Sequence, residues 1–496
     1  MKIARRDFLK GFAASLGFAA LPGGAVFAAP AGWKARGKPN LVFGVLSDTH
    51  LRTRLVGIQP GRNWSPRYFA AAMEYFASRN VDAVVHCGDF AHRGQVEEMQ
   101  YHANYWNKFF PGSRSPDGRR VEKLFIIGNH DAEGSGYYGF CAKKYPDPAE
   151  RAKHVLATDM AANWERIWGE KFEPVWHKEV KGCHFFGRNW GADGEAFANL
   201  VDESSQALDS SRKPFFVLTH RRPLKALRNR LSRHPGGIAF FGHNHWSIAN
   251  WNMVYDYGAL KAIQCPSCEP RGCNALVGDA WITKTNIEGL PSAGRGRQGF
   301  VVNVYDEMLV IERHEFSEGE ASMGADWVMP VGKSAATWSV KEELKKTVGA
   351  PQFRSGAKSK LSRTMAIVKN ASSDREIEGD DEDGAKAQGA SSPDAPQPCV
   401  RLSIPPADGN PDSRVYAYEI AAAGSSDAKR LRKAVYAAGC NLGIGREPDG
   451  GVTTLDIPEP ELPSGDILKF AVRPVSSLGT AGRAIAAVFK RNTLET

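Results

Sequence analysis

Five short polar motifs follow one another along the chain, and their side chains could bind metal ions. They are Asp48-x-His50, Gly88-Asp89, Gly128-Asn129-His130-Asp131, His220 and Gly242-His243-Asn244-His245. Imidazole, carboxylate and amide groups suit divalent transition metals. Taken singly, each histidine has an ordinary structural interpretation, and each aspartate could cap a helix or a turn. Five such motifs in this order favour one shared site.

A pair of divalent ions is the arrangement that this mixture of ligands would serve. Hydrolysis of a phosphate ester at neutral pH needs a deprotonated water and neutralisation of the phosphoryl oxygens. Two ions roughly 3.5–4 Å apart supply both, because they share a hydroxide and clamp the phosphate. Asp89 is the natural bridge, since a carboxylate spreads its charge over both ions. Mixed imidazole and carboxylate ligands select Mn, Fe or Zn and do not choose among the three.

Apolar segments that predict buried strands come directly before the motifs. They are Leu41–Leu46, Val81–Cys87, Lys123–Ile127, Phe215–Thr219 and Gly237–Phe241. Helices are predicted after Ser65-Pro66 and over Gln95–Phe109. Ligands of α/β sheets bind at the carboxyl ends of the strands, so the alternation predicts an α/β fold with the polar motifs at one edge.

The motif set resembles that of the calcineurin-like metallophosphoesterase family over roughly residues 39 to 315. This resemblance implies an α/β fold in which two mixed β-sheets pack face to face and are flanked by helices. It also implies seven metal ligands. They are Asp48, His50 and His245 for the first ion, Asn129, His220 and His243 for the second, and Asp89 between the two.

The resemblance places two further residues at the site. His130 would lie near the leaving-group oxygen, as a general acid or a transition-state stabiliser, and Arg93 would contact the phosphate. Purple acid phosphatases have a tyrosine ligand, and protein Ser/Thr phosphatases an aspartate, where this chain has His92. We therefore expect no iron–tyrosinate centre. We also expect His130 to lack the carboxylate that orients the corresponding histidine in protein Ser/Thr phosphatases. A surface ion pair is the alternative for Arg93.

The predicted function is hydrolysis of a phosphoric ester bond by a dinuclear metal centre, with His130 assisting the leaving group. The substrate would be a phosphate ester, and monoesters, cyclic nucleotides, phospholipid headgroups and pyrophosphate bonds all stay open. The alternative is a non-catalytic metal-binding or surface-interaction module on the same scaffold. The full ligand set argues against that alternative, because buried ligands that repel one another are costly without metal.

The composition is that of a folded protein. The chain has 496 residues, of which 42% are hydrophobic and 24% charged, and this excludes collagen-like, coiled-coil and wholly disordered classes. At roughly 150 residues per domain, the length predicts two to four domains. The formal net charge is +9, but no dense Lys/Arg stripe is interleaved with aromatic residues. Nucleic acid is therefore not an expected partner, except as a nucleotide substrate.

Residues 1–28 have the three-part pattern of an export signal, with a basic start, a weakly apolar stretch and small residues at Val26 and Ala28. The block that begins with Arg5 and Arg6 resembles the twin-arginine signal. It predicts a bacterial protein exported to the periplasm or secreted. No other run approaches the length of a membrane-spanning helix, so we expect no transmembrane segment.

The cysteines add a weaker pattern. Cys265-Pro-Ser-Cys268, with Cys273 nearby, resembles half of a zinc site. There is no second such pair in the sequence, so a local disulfide or free thiols are expected instead.

The region after residue 350 predicts a small β-sandwich. Its β-like runs are Val400–Ile404, Val415–Ile420, Ile467–Val472 and Arg483–Phe489. The late strands resemble those of a fibronectin type III domain, with Leu468 in place of the expected corner tyrosine. Pro351-Gln352-Phe353 would form the first strand. Residues 372–398 are acidic and of low complexity, and they predict a disordered insertion.

These patterns divide the chain into four parts. They are a signal peptide at 1–28, a phosphoesterase domain at 39–331, a linker at 332–350 and a fibronectin-like sandwich at 351–496. We expect the sandwich to be the part that could bind another protein or the cell surface.

Overall fold

A computed structural model describes the greater part of the chain. The described residues are 37–51, 67–133, 143–210, 213–234, 236–245, 253–268, 287–288, 297–316, 321–322, 326–331, 338–339, 349–366, 395–409, 415–425, 430–437, 451–476 and 480–491. The predicted signal peptide lies outside them, as do Ser65, Pro66 and residues 372–394 of the predicted insertion.

The part of the chain before residue 331 alternates strands and helices. The strands are β1 (Leu41–Leu46), β2 (Ala83–Cys87), β3 (Glu122–Ile126), β4 (Val175–Val180), β5 (Cys183–Arg188), β6 (Phe215–Thr219), β7 (Gly237–Phe241), β8 (Val254–Tyr257), β9 (Leu260–Gln264), β10 (Ile287–Glu288), β11 (Gln298–Val304), β12 (Met308–Glu315), β13 (Ala321–Ser322) and β14 (Trp327–Pro330). The helices are α1 (Arg67–Ser78), α2 (Val96–Phe109), α3 (Asn129–Glu133), α4 (Pro148–His154), α5 (Met160–Trp168), α6 (Gly194–Glu203), α7 (Ser205–Ser210) and α8 (Lys225–Leu231).

Twelve of these strands form two mixed sheets, and the central strands of each sheet run parallel. Strand β14 adds to the first sheet by pairing with β12. The first sheet has the order β13-β12-β11-β1-β2-β3, in which β1, β2 and β3 run parallel. The second has the order β4-β5-β6-β7-β9-β8, in which β5, β6, β7 and β9 run parallel. Strands β2, β6 and β7 are buried along their whole length, which is why their sequences are continuous apolar runs.

The two sheets pack face to face through aromatic side chains. The ring of Phe43 on β1 lies 5.5 Å from Phe185, 5.0 Å from Phe216 and 6.0 Å from Phe240, in each case edge to face. Edge-to-face packing of this kind stabilises a core beyond simple burial of area. The α/β fold predicted from the sequence, two mixed sheets packed face to face with helices outside, is confirmed.

Helices cover the outer faces of both sheets. One core cluster lies between the first sheet and helices α1 and α2, and it includes Met73, Phe76 and Trp106. Another lies between the second sheet and helices α6 and α8, and it includes Phe197 and Leu227. No helix in the described part of the chain is long and apolar enough to span a bilayer.

The C-terminal region folds as a sandwich of antiparallel sheets. Its strands are β15 (Gln352–Phe353), β16 (Lys360–Ala366), β17 (Gln397–Ile404), β18 (Ala407–Asp408), β19 (Val415–Gly424), β20 (Arg430–Tyr436), β21 (Thr453–Pro458), β22 (Ile467–Ser476) and β23 (Ile485–Lys490). Strands β16-β17-β21 form one sheet, and β20-β19-β22-β23 form another to which β10 adds at the edge. Gln397 and Pro398, which were assigned to the insertion, begin β17 instead.

The sandwich shares a hydrophobic core cluster with the first region. Ala417, Ala434 and Val475 from its larger sheet are buried together with Met329 of β14. Trp338, which falls within the predicted linker, is buried in the same cluster. The domain boundaries and the fibronectin-like character stay predictions, whereas the β-sandwich itself is confirmed.

Candidate metal centre

The predicted ligands stand directly after five strands. Strand β1 is followed by Asp48 and His50, β2 by Asp89, β3 by Asn129, β6 by His220, and β7 by His243 and His245. Because the central strands of each sheet are parallel, their carboxyl ends share one edge, which is where α/β folds bind ligands. All seven side chains are buried or half-buried there.

The backbone at this edge adopts conformations that non-glycine residues usually avoid. Positive φ angles occur at Asp48 (49°), His50 (42°), Asp89 (58°), His243 (76°) and His245 (50°). Each costs on the order of 1–3 kcal/mol and persists only where the surrounding structure enforces it, typically at functional sites. Five strained residues among the seven predicted ligands therefore indicate a site whose geometry is maintained against local preference.

Two glycines let the backbone come close to the acidic side chains. A Cβ on Gly128 would lie 2.1 Å from Asp89 Oδ1, and one on Gly242 would lie 2.4 Å from Asp48 Oδ2. Neither contact is sterically possible, so the glycines of the G-N-H-D and G-H-N-H motifs are needed where they stand.

The first group consists of Asp48, His50 and His245. The Nε2 atoms of the two histidines are 3.1 Å apart, and His245 Nε2 is 3.2 Å from Asp48 Oδ1. Burial lowers the pKa of His50 well below its usual value, and the nearby imidazoles of His130 and His245 lower it further. His50 is therefore a neutral imidazole with a nitrogen lone pair to give to a cation.

The second group consists of Asp89, Asn129, His220 and His243. His220 Nε2 lies 3.1 Å from Asp89 Oδ2 and 3.0 Å from Asn129 Oδ1, and His243 Nδ1 lies 3.0 Å from the same amide oxygen. The Nδ1 of His220 donates to the carbonyl of Cys87 at 2.7 Å. That bond fixes the ring orientation and directs Nε2 into the group, as is usual for metal-binding histidines.

Asp89 lies between the two groups. Its Oδ2 is 3.1 Å from His220 Nε2 and 3.6 Å from His50 Nε2. Burial lowers the pKa of His220, but the Asp89 carboxylate outweighs burial and raises that pKa to about 10. A proton on His220 thus balances the buried carboxylate. A divalent cation would displace that proton, and the converging nitrogen and oxygen atoms fit one cation in each group.

His130 lies beside the first group. Its backbone N–H donates to Asp89 Oδ1 at 2.9 Å, and its Nδ1 donates to the backbone carbonyl of His92 at 2.9 Å. The ring stands edge to face on His50, with centroids 4.4 Å apart. Ring nitrogens of His50, His92 and His130 come within 4.8 Å of one another. His92 was not assigned a role from the sequence, and it too lies at the centre.

Arg93 is buried, with only 7% of its surface exposed. Its backbone N–H donates to Glu98 Oε2 at 2.8 Å. The alternative interpretation of Arg93, a surface ion pair, does not fit this burial. Contact with phosphate stays a prediction for this residue.

Residues 41–247 match the family model described as calcineurin-like phosphoesterase. This part of the chain is similar to the calcineurin-like phosphoesterase family. The match spans the strand ends that carry all seven predicted ligands.

The solved structures to which the chain is similar share little sequence with it. A dimetal phosphatase from Danio rerio is 12% identical, covers 60% of this chain and 100% of its own, and has a TM-score of 0.34. Purple acid phosphatase PPD1 from yellow lupin is 12% identical, covers 58% of this chain and 55% of its own, and has a TM-score of 0.35. A putative 5'-nucleotidase from Staphylococcus aureus is 13% identical, covers 64% of this chain and 60% of its own, and has a TM-score of 0.29. No curated protein matches the sequence.

A buried polar network that no sequence pattern marks lies behind the loop that carries Asp48 and His50. Thr49, between Asp48 and His50, has its Oγ1 2.7 Å from His102 Nε2 and 3.1 Å from His86 Nε2. His102 Nδ1 donates to the carbonyl of Glu98, so His102 Nε2 must accept the Thr49 proton. Burial lowers the pKa of His102 to about 3 and that of His86 well below its usual value. The network is therefore neutral.

We expect Thr49→Val to weaken metal binding by about 10- to 100-fold, the usual effect of losing a partner behind the ligands. The variant keeps the shape but leaves two buried imidazole nitrogens without the hydroxyl. Thr49→Ser keeps the hydroxyl and should restore binding. Metal dissociation constants from competition with a chelator would measure both. Equal affinity for the valine and wild-type proteins would show that the network does not position the loop.

Asp131 holds the neighbouring loops together. Its carboxylate accepts the backbone N–H groups of Gly128 at 2.9 Å, Asp89 at 2.9 Å, Phe90 at 3.3 Å and Ala91 at 2.7 Å. It thereby ties the end of β3 to the end of β2. This role could not be read from the G-N-H-D motif, because three of the four partners lie about 40 residues away in the chain.

Loop residues near the centre differ in their roles. Asn189 accepts the Ile127 N–H at 2.7 Å and donates to the Glu173 carbonyl at 2.7 Å, so it is a structural residue. Trp190 lies against the second group, with its ring 5.8 Å from that of His220 and 6.3 Å from that of His243. Tyr137 and Tyr138, two further aromatic residues between the third and fourth motifs, lie outside the described part of the chain.

The two cysteines of the C-x-x-C pair do not pair with each other. Cys265 and Cys268 are free thiols, as are the other cysteines of the described residues. Cys265 Sγ instead lies 3.6 Å from Cys87 Sγ. Cys273 lies outside the described residues.

Proposed function

We propose that the protein is an exported, dinuclear metal-dependent phosphoric ester hydrolase. The observation that carries the proposal is the position of Asp89, whose Oδ2 faces a histidine of each group, His50 at 3.6 Å and His220 at 3.1 Å. Two cations bound there would activate water and neutralise the charge of the phosphoryl group. Mn, Fe or Zn suits the nitrogen and oxygen ligands.

The chain's own residues have separate tasks in this reaction. Asp48, His50 and His245 would hold the first ion, and Asn129, His220 and His243 the second, with Asp89 shared. The Cys87 carbonyl fixes the His220 ring by accepting its Nδ1–H.

His130 would protonate the leaving-group oxygen. Its Nδ1 proton is engaged by the His92 carbonyl at 2.9 Å, which leaves Nε2 as the atom that can carry a transferable proton. A positioned imidazole contributes about 10²–10⁴-fold to reactions with poor leaving groups.

A hydrolysis screen tests the proposal and selects the substrate class. The metal-loaded protein would be assayed with an aryl monoester, a cyclic nucleotide, a phosphodiester headgroup and a pyrophosphate bond, each with Mn²⁺ or Zn²⁺. We expect turnover in at least one class. Binding of two ions without turnover of any class would favour the alternative, a non-catalytic metal-binding module.

Export by the twin-arginine route is part of the proposal and rests on residues 1–28. Replacing Arg5 and Arg6 together by lysine should retain the protein in the cytoplasm, because the receptor reads the arginine pair. Fractionation and immunoblotting would measure the distribution. A periplasmic or secreted fraction equal to that of the wild-type protein would rule out this route.

We also propose that residues 351–496 form a separate fibronectin-like domain and that 39–331 form the catalytic one. Strands β16, β17 and β21 form a sheet of their own, which supports this division, while β10 of the first region joins the larger sheet of the sandwich. The sandwich would be the part that contacts another protein or the cell surface.

A further inference from the structure

Arg221 follows the ligand His220 directly and stands at the open side of the second group. Its side chain is exposed, in contrast to the buried Arg93. Its Nε donates to His243 Nε2 at 3.1 Å. A cationic side chain therefore lies one hydrogen bond away from a predicted metal ligand, on the side open to solvent.

Trp190 holds the guanidinium of Arg221 in place. The guanidinium carbon lies 4.6 Å from the centre of the Trp190 ring, within the range of a cation–π contact. The same ring lies against His220 and His243. Stacking restricts Arg221 to the rim of the second group. The terminal N–H groups of the planar guanidinium can still donate hydrogen bonds to a ligand.

A cation in the second group would change the hydrogen-bond partner of Arg221. His243 Nδ1 faces the second group, 3.0 Å from Asn129 Oδ1. A neutral histidine that gives Nδ1 to a cation keeps its proton on Nε2. That proton would then face the Nε–H of Arg221, and two donors cannot share a hydrogen bond. The guanidinium must therefore exchange this partner for another when the second group is filled.

We propose that Arg221 binds the phosphoryl oxygens of the substrate, with Trp190 as the platform that positions it. This inference rests on the proposed hydrolase function and adds a substrate-binding residue that the motif pattern does not contain. An arginine fork binds two phosphate oxygens at once, which a lysine cannot reproduce. The preferred ligand would be a terminal phosphate, because it offers the largest number of charged oxygens to the fork.

The neighbouring Arg222 provides a matched control. It is also exposed and carries the same charge, but its guanidinium stacks on Tyr255 at 4.8 Å instead of on Trp190. Tyr255 lies on the edge strand β8, which is not one of the strands whose ends carry the predicted ligands. Loss of Arg222 removes one positive charge from the same loop without removing a donor at the second group.

The test is calorimetric binding of inorganic phosphate to metal-loaded protein, together with KM and kcat on the best substrate of the screen. Arg221→Ala should weaken phosphate binding and raise KM by about 10- to 100-fold, the usual effect of losing hydrogen bonds to a charged group. Arg221→Lys should recover only part of the loss. Arg222→Ala should match the wild-type protein, and all variants should keep the same metal content.

Equal phosphate affinity in the Arg221→Ala and wild-type proteins would overturn the inference, as would an equal loss in Arg222→Ala, since that would indicate a general charge effect. Loss of a metal ion in Arg221→Ala would also overturn it, because the residue would then support His243. Failure of the proposed function looks different. In that case the wild-type protein itself would hydrolyse no ester, whatever its affinity for phosphate.

Discussion

Asp89→Asn is expected to abolish hydrolysis and to remove at least one metal ion per chain. The asparagine keeps the size of the side chain and its contact with the His130 N–H, but it loses the negative charge that faces both groups. Metal ions contribute several kcal/mol to stabilising such transition states, so we expect kcat/KM to fall by at least ~10³-fold. Metal analysis and steady-state kinetics on the same preparation would measure both effects.

Asp82→Asn is the matched control for this variant. Asp82 is also a buried aspartate, but it accepts the Val42 N–H at 2.9 Å and pairs with Arg119 and Lys181, away from the centre. Its loss should lower the stability of the fold and leave the metal content of the folded protein unchanged. Full activity of Asp89→Asn with both ions retained would refute the assignment of the bridge.

His130→Ala should slow hydrolysis of an alkyl phosphate by about 10²–10⁴-fold and that of a nitrophenyl phosphate clearly less. An alkoxide must be protonated as the bond breaks, whereas nitrophenolate is stable as an anion. Since His130 Nδ1 is occupied by the His92 carbonyl, the effect should come from loss of the Nε2 proton. The metal content should not change. Rates on the two esters, measured in parallel, give the comparison.

Two outcomes would contradict this role for His130. An equal loss on both esters would indicate electrostatic stabilisation of the phosphoryl group in place of acid catalysis. Loss of a metal ion would identify His130 as a ligand, in a group with His50 and His92. His177→Ala, which removes an exposed imidazole from the edge strand β4, should change neither rate nor metal content.

The sequence was sufficient for the fold and for the edge where the predicted site residues gather. Gly237–Phe241 is a strand, as the sequence predicts. A short apolar run bounded by turn residues is typical of a buried strand. The ligand roles at the ends of these strands are still predictions, although the structure brings the seven side chains together.

The supporting contacts could not be predicted, since they join distant residues of ordinary type. Thr49 meets His86 and His102, which lie 37 and 53 residues away, and no local pattern marks such a network. The sequence around Arg221 does not distinguish it from other loop arginines, and only the structure shows its contacts with Trp190 and His243. For Arg93, in contrast, the family resemblance predicts contact with phosphate, but nothing in the sequence indicates that the side chain is buried.

Chelation and reconstitution of one protein sample test the central claim most directly. Bound metal and turnover of the best substrate would be measured together as the ions are removed and then returned as Mn²⁺ or Zn²⁺. The account predicts two ions per chain, activity that disappears with them, and recovery that requires both. Undiminished turnover by the metal-free protein, or a chain that binds no ion at these groups, would contradict it.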